Sequence, residues 1–533
     1  MSLASCSNGD ITPDENVTGN TSTAYAKVNI TMGGVGTRAD GGFEAGTQDE
    51  GTVNSITLVL YDESLTEVIG YGSIDNSVDA SETDDNGVSD KYEKTIELTM
   101  LGNKEDAKKL VAYVNTSGDV ASSVASVLTK TTEDFGAAGK FIMTSAGYFA
   151  NGSEWTVATD IADGSLYDSA AKAEDGSATT IVYVERLAAK VTTSMKDSAP
   201  TTAEITVTGV DGAEYGLEFD ADNAKWAPTG TAKSMYLLKN PWTETVASTS
   251  GSNRSFWAAG VNYTTPYESM QPALGYVSSN ALRATEGSGI GMGKSTYTME
   301  HTYGQEVVGD PNYNVLGAAT SVILLGQYKV TGTDVTKFGS DTEGYDFYLL
   351  LNDAGGSSYT IFTEEELMQY LLKNTGAELY SDETDDSKIT EENVSENLKL
   401  EWDGAKANYT LSGTAYTKSD DTFSEFTAFA TTNARHYNLG YAYFFIPIMH
   451  NGGETAEVGQ YGVVRNHSYK LNISEIKKLG APLDDDHFGT DPDEPDPDDP
   501  GDEPIIPDPT NPVVIKAEID VLSWHVLEHD VKL

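Results

Sequence analysis

Tyr25-Ala26-Lys27-Val28-Asn29-Ile30-Thr31-Met32 puts Ala26, Val28, Ile30 and Met32 on one side of the chain and Lys27, Asn29 and Thr31 on the other. An apolar residue at every second position is the period of a half-buried β-strand, because successive side chains of a pleated backbone point to opposite faces. The signature returns at Ser55–Tyr61, Tyr92–Met100, Leu110–Asn115, Ile181–Val191, Ser321–Val330, Tyr345–Leu351, Tyr441–Ile448 and Tyr469–Ile476. Turn-forming Gly, Asp, Asn and Ser stretches separate these runs, which predicts β-sandwiches. At 533 residues the chain exceeds one ordinary core, so the expected fold is mainly β, with two domains and a tail.

Helices are expected to be few. Thr363 and Glu366 form a capping-box pattern ahead of Leu367, Tyr370 and Leu371 on one face, with Gly376 placed to end the helix. A second candidate runs from Val120 to Leu128. Both read as decorations on the sandwiches.

The formal charge of −50 and a pI near 4.2 repel phosphate backbones, so nucleic acid is not an expected partner. Hydrophobic residues make up 38%, enough for packed cores with long polar loops between them. The single cysteine excludes an internal disulfide framework. It stands in Leu3-Ala4-Ser5-Cys6, a leucine and two small residues before the thiol, which is the end of a bacterial lipoprotein signal. Cys6 is therefore the expected lipidation site, and the chain as given starts just before the processing point. Residues 1–24 read as lipoprotein N-terminus and polar tether, and no stretch approaches the roughly 20 apolar residues that span a bilayer. Any membrane attachment is therefore expected through lipid.

Over residues 484–512 the composition changes abruptly. Eight of the 17 prolines lie there among aspartates and glutamates, the mixture of an extended acidic linker. Beyond it, in 513–533, Ile515, Ala517, Ile519 and Val521 alternate with Lys516, Glu518 and Asp520, followed by Trp524, Val526, Val531 and Leu533. A lone strand on an arm has no core of its own and must add to a sheet. It can return to its own domain or enter another molecule as a donor strand.

The other end of the chain bears on that choice. Gly33-Gly34-Val35-Gly36-Thr37-Arg38-Ala39-Asp40-Gly41-Gly42 is a glycine-rich stretch with one arginine, the preferred setting for proteolysis. A trypsin-like, Arg-specific protease cutting between Arg38 and Ala39 would remove Cys6 together with the strand bearing Ala26, Val28, Ile30 and Met32. The sandwich left behind would expose a groove with unpaired backbone groups. An ordinary surface loop is the competing reading of the same residues.

Lipoprotein cysteine, first strand, Arg-Ala site, acidic linker and terminal strand, in this order, resemble the fimbrillins of Bacteroidales type V pili, closest to the major subunits of the short (Mfa-type) fimbriae. The resemblance is most specific at Val184-Glu185-Arg186-Leu187-Ala188-Ala189-Lys190-Val191, at Val463-Val464-Arg465-Asn466-His467-Ser468-Tyr469, at Ile476-Lys477-Lys478-Leu479-Gly480, and at Ala517-Glu518-Ile519-Asp520-Val521-Leu522-Ser523-Trp524 with a final Val531-Lys532-Leu533. It implies two tandem transthyretin-like β-sandwich domains, 25–186 and 187–483, meeting near Leu187. It implies further a lipidated precursor cleaved after Arg38 and assembled by donor-strand exchange into a surface stalk. The implied partners are other copies of the chain, anchor and tip subunits, the processing protease and host or bacterial surface receptors. No enzyme activity, cofactor or metal is expected.

Other motifs fit less well. Gly287–Ser295 resembles a phosphate loop, but Ser288 stands where glycine is required and no strand precedes it. His525-Val526-Leu527-Glu528-His529 has the spacing of an inverted zinc-protease motif in strand-like surroundings. Glu82, Asp84, Asn86 and Gly87 suggest a calcium loop, but Tyr92 occupies its twelfth position. The 29 tyrosines and six tryptophans keep a glycan-binding lipoprotein or tip adhesin as the alternative function.

Overall fold

The structure is a computed structural model that describes residues 22–31, 43–75, 82–83, 89–116, 127–128, 141–150, 154–196, 201–202, 204–240, 258–285, 287–304, 317–352, 358–384, 386–427, 429–450, 461–476, 478–483, 504–506 and 518–525. Strands dominate these residues and helices are short, so the chain is mainly β with several sheets.

The first unit is built from β1 (Ser22–Thr31), β3 (Ser55–Tyr61), β4 (Val68–Asp75), β5 (Ser89–Met100), β6 (Lys109–Val114), β7 (Met143–Ser145) and β8 (Thr180–Arg186). Their pairings run β1-β8-β7-β6-β3-β4-β5 and then return to β1. The strands of this expected sandwich domain thus pair in a closed ring. Closure follows from the length of β1, which pairs antiparallel with β5 over ten positions and parallel with β8 over four. Inside the ring lies one hydrophobic core, to which β1 contributes Ala24, Ala26, Val28 and Ile30 beside Tyr61, Tyr92 and Tyr113.

At Leu187 the chain passes from β8 into β9 (Ala188–Met195). The alternation from Ile181 to Val191 predicts one strand, and the structure divides it in two. β8 belongs to the ring and β9 to another sheet, and the buried Leu187 between them donates its N–H to the Ile142 carbonyl at 3.0 Å.

The second unit is a sandwich. One layer runs β2 (Phe43–Ala45), β20 (Glu518–His525), β19 (His467–Ile473), β9 and β13 (Ser295–Met299). The other is organised around β14 (Ser321–Gly332), which pairs with β11 (Glu214–Phe219), β12 (Lys225–Thr229) and β18 (Tyr441–Pro447). Val191, Tyr469 and Leu471 from the first layer meet Trp226, Leu324 and Phe444 from the second in one core. β10 (Ile205–Gly209), β15 (Phe347–Leu351), β16 (Tyr359–Phe362) and β17 (Arg435–Tyr437) extend the second layer.

A smaller core gathers around helix α2 (Glu364–Asn374), the longest of the described helices; the short helix Gln48–Gly51 is α1. Thr363 Oγ1 accepts the Glu366 N–H at 3.2 Å and Glu366 Oε2 accepts the Thr363 N–H at 2.9 Å, so the capping box is present. Gly376, at φ 64°, takes the left-handed conformation that ends the helix. The buried face is Leu367, Met368, Leu371 and Leu372. Tyr370, expected on that face, lies instead on the outer side against Phe362. Of the second helix candidate, Val120–Val124 and the two residues after it lie outside the described residues, while Val127–Leu128 is a strand paired with Tyr236 and Met235.

Candidate strand-exchange site

Removing β1 would uncover a defined seat. Ala24, Ala26, Val28 and Ile30 are all buried in the ring. Burying one Val or Ile side chain is worth about 1.5–3 kcal/mol, an upper figure because unfolded chains already bury some surface. Backbone pairing on both sides adds to that. Polar contacts fix the outer face: Lys27 Nζ donates to the Gly176 carbonyl at 2.9 Å and pairs with Glu93 at 3.5 Å. A strand held this way does not leave by fluctuation while its neighbours remain folded.

The segment that follows β1 is anchored where the two units meet. Thr47 caps α1, and its N–H donates to Glu50 Oε2 at 2.6 Å. The other carboxylate oxygen of the buried Glu50 accepts from the Tyr297 hydroxyl at 2.7 Å and pairs with Lys190 Nζ at 3.1 Å. Arg186 Nε donates to the Glu50 backbone carbonyl at 2.8 Å. Burial alone would raise the Glu50 carboxyl, but Tyr297, Lys190, the Thr47 amide and Arg186 outweigh it and hold the group below the ordinary glutamate value. Burial brings Arg186 down to about 10 against the opposing pull of Glu50, Tyr297 and Tyr92, so it stays charged at neutral pH.

A second buried pair braces the same junction. Arg465 Nε and Nη2 meet the two Glu300 oxygens at 3.1 and 3.0 Å, and Nη1 donates to the Leu237 carbonyl at 2.9 Å. Lys239 and Glu185, also buried, pair at 3.0 Å. A charge inside a protein persists only when such partners offset its lost hydration.

The carboxyl-terminal strand occupies a seat in its own chain. β20 lies antiparallel to β19, with Ile519 opposite Leu471, Val521 opposite Tyr469 and Ser523 opposite His467. On its other side β2 runs parallel, Phe43, Glu44 and Ala45 facing Ser523, Trp524 and His525. Of the two destinations open to this strand, the structure has the return to the chain's own sheet.

Residues 435–530 match the family model described as major fimbrial subunit protein type IV, fimbrillin, C-terminal. The fimbrillin match includes β17, β18, β19 and β20, and so contains both partners of the terminal ladder. It describes a structural subunit and not a catalyst. No curated protein matches the chain. Among solved structures, a candidate cell adhesion protein from Parabacteroides distasonis ATCC 8503 is 11% identical, with 94% of this chain and 98% of that chain covered and a TM-score of 0.35. The tip fimbrial protein Mfa3 from Porphyromonas gingivalis, with C-terminal truncation, is 10% identical over 86% of this chain and 97% of that one, at a TM-score of 0.30. A fimbrial assembly protein from Parabacteroides distasonis ATCC 8503 is 13% identical over 58% and 86%, at 0.28.

The expected site residues divide sharply. Ala26, Val28 and Ile30 line the ring, and Ile519, Val521 and Trp524 take positions along β20. Cys6, Met32, Arg38, Ala39, Ile515, Ala517, Val526, Val531 and Leu533 lie outside the described residues. Sequence reading missed the Glu50 anchor, although Thr47-x-x-Glu50 is itself a capping-box pattern. It also missed Ile505. Pro504–Ile506 of the acidic linker docks on the second unit, where Ile505 donates its N–H to the Val277 carbonyl at 3.0 Å and packs beside Leu282, Leu325, Phe445 and Leu483. Composition averaged over the linker hides a single hydrophobic hook. Among the described residues no group of three or more His, Cys, Asp or Glu could hold a metal.

Proposed function

We propose that this chain is a fimbrial subunit of the bacterial cell surface that builds a type V pilus stalk, in the manner of the major subunit of short, Mfa-type fimbriae. It is made as a precursor lipidated at Cys6 and exported to the outer membrane. Cleavage between Arg38 and Ala39 releases β1, and the vacated seat takes residues 513–533 of the next copy, so that copies join end to end and meet anchor and tip subunits at the ends of the fibre. The fimbrillin match over residues 435–530 supports the fimbrial reading.

One observation carries the exchange step: the strand immediately upstream of Arg38 closes a ring and is paired on both edges. Its loss creates two unpaired edges and an apolar slot at once, which only another strand of alternating pattern can fill. Ile515, Ala517, Ile519 and Val521 have the two-residue spacing of Ala24, Ala26, Val28 and Ile30, with at least as much aliphatic volume. Seating of β20 in its own sheet suits a subunit awaiting assembly, because an exposed apolar strand would aggregate.

The test treats purified full-length protein with an Arg-specific protease and follows denaturant-resistant oligomers by gel. A ladder is expected from the wild type, and monomer only from Arg38→Ala and from a chain ending at Pro512. Ladders from either variant would refute the scheme.

A further inference from the structure

We infer that Phe43–Ala45 is a strap that holds the terminal strand in its home sheet until the chain is cut upstream, so that one cleavage both opens the acceptor and loosens the donor. This rests on the stalk reading and adds to it a release step for the donor.

The ladder between β20 and β19 ends at Ser523, opposite His467. Trp524 and His525 continue the strand and, among the described residues, pair with Glu44 and Ala45 of β2. A strand peels from an end, and at this end the strap covers the last pairs. A parallel pair of three residues is too short to persist alone, so its position must come from the chain on either side.

Both sides are tied. Two residues downstream of Ala45, Thr47 begins the cap that fixes Glu50 to Lys190 and Tyr297. Lys190 lies in β9, directly opposite Ser468 of β19, so this tether is rooted in the sheet that holds β20. Upstream, residues 32–42 join Phe43 to Thr31, the last residue of β1 in the ring. Eleven residues reach roughly 36–40 Å when fully extended, short enough to keep the strap at high local concentration over β20. Arg38 lies within this upstream connection. Cutting there leaves the strap tied on one side only.

Two variants in an Arg38→Ala background test the strap without any cleavage. Successive backbone N–H groups of a strand point to opposite sides, so Glu44→Pro or Ala45→Pro must delete the donor that faces β20. Hydrogen exchange at 521–525 of one of them is expected to rise about tenfold, the worth of one or two weak backbone bonds, with the ring amides of β3 and β6 unchanged. Each uncut chain, produced in unlipidated form and dye-labelled at its lone Cys6, is then mixed with cut wild-type protein, to which it can donate a strand but from which it can accept none. Label should enter oligomers about tenfold faster for the strap variant than for Arg38→Ala alone, in proportion to the exchange rate. Unchanged exchange together with unchanged label uptake would overturn the strap and leave the stalk reading intact. Raised exchange with no label uptake by any chain would retain the strap and overturn the stalk reading.

Discussion

Ile30 lies directly opposite Tyr92 in the ladder between β1 and β5, and the Tyr92 hydroxyl reaches past the strand to donate to the Gly51 carbonyl at 2.9 Å. One tyrosine therefore touches both the strand expected to leave and the segment expected to stay. Its ring backs Ile30, and its hydroxyl steadies the turn that follows the Glu50 anchor.

The two contacts should separate by mutation. Ile30→Ala in the uncut chain is expected to cost about 2–5 kcal/mol, because a ring closed on all sides relaxes poorly around a lost side chain. Tyr92→Phe should cost about 1–3 kcal/mol by stranding the Gly51 carbonyl. Urea unfolding of the single and double variants checks both values, and the double variant should depart from additivity because the residues touch.

Arg465 and Glu300 form the most enclosed ion pair described here, with both side chains essentially inaccessible to solvent. Removing one partner, as in Glu300→Gln, should destabilise the second unit by about 3–5 kcal/mol. The double change Arg465→Met with Glu300→Leu should recover much of that loss, since two apolar groups need no desolvation. A double variant no more stable than Glu300→Gln would mean that the carbonyl contacts of Arg465, and not the pair, brace the junction.

His301 sets a pH dependence. Burial holds its imidazole down at about 4, with only the Gly230 carbonyl opposing the shift. An unfolded histidine titrates near 6.5, so between these values the unfolded chain binds a proton that the folded chain refuses. The stability present above pH 6.5 should therefore fall as the pH drops towards 4, by about 1.4 kcal/mol per pH unit from this residue. The difference in unfolding free energy between wild type and His301→Gln, followed across that range, should carry this slope.

Ile505 supplies a local measurement. Ile505→Asp would place a charge against Leu282, Leu325, Phe445 and Leu483 and should undock the linker without unfolding the sheet beneath it. Proteolysis within 484–512 should accelerate at least tenfold, while the protection of β14 and β18 stays unchanged.

How much of this was legible depended on range. The alternation of Ala26, Val28 and Ile30, and the cap linking Thr363 to Glu366, are local patterns, and both stand in the structure. Closure of the ring is not local, because nothing within β1 says that β5 and β8 will lie on its two sides. The burial of Arg465 was invisible for the same reason, its partner Glu300 being 165 positions away. Tyr370 and Ile505 failed in opposite directions: an aromatic at nearly the right helical spacing stayed outside, and an isoleucine among prolines went inside. Single residues obey their immediate surroundings, which averages over a window cannot supply.

While β1 is in place, it is paired with β5 over ten positions on one edge and with β8 over four on the other, so at that strand the first unit offers passing chains no row of open amides on which crowded molecules could recruit one another by accident. Under the proposed stalk scheme, the strand that delays assembly also protects the protein during storage and transport. In that scheme it departs by scission of a covalent bond, so the protection would be surrendered once, and a subunit so released would have no route back to its stored form.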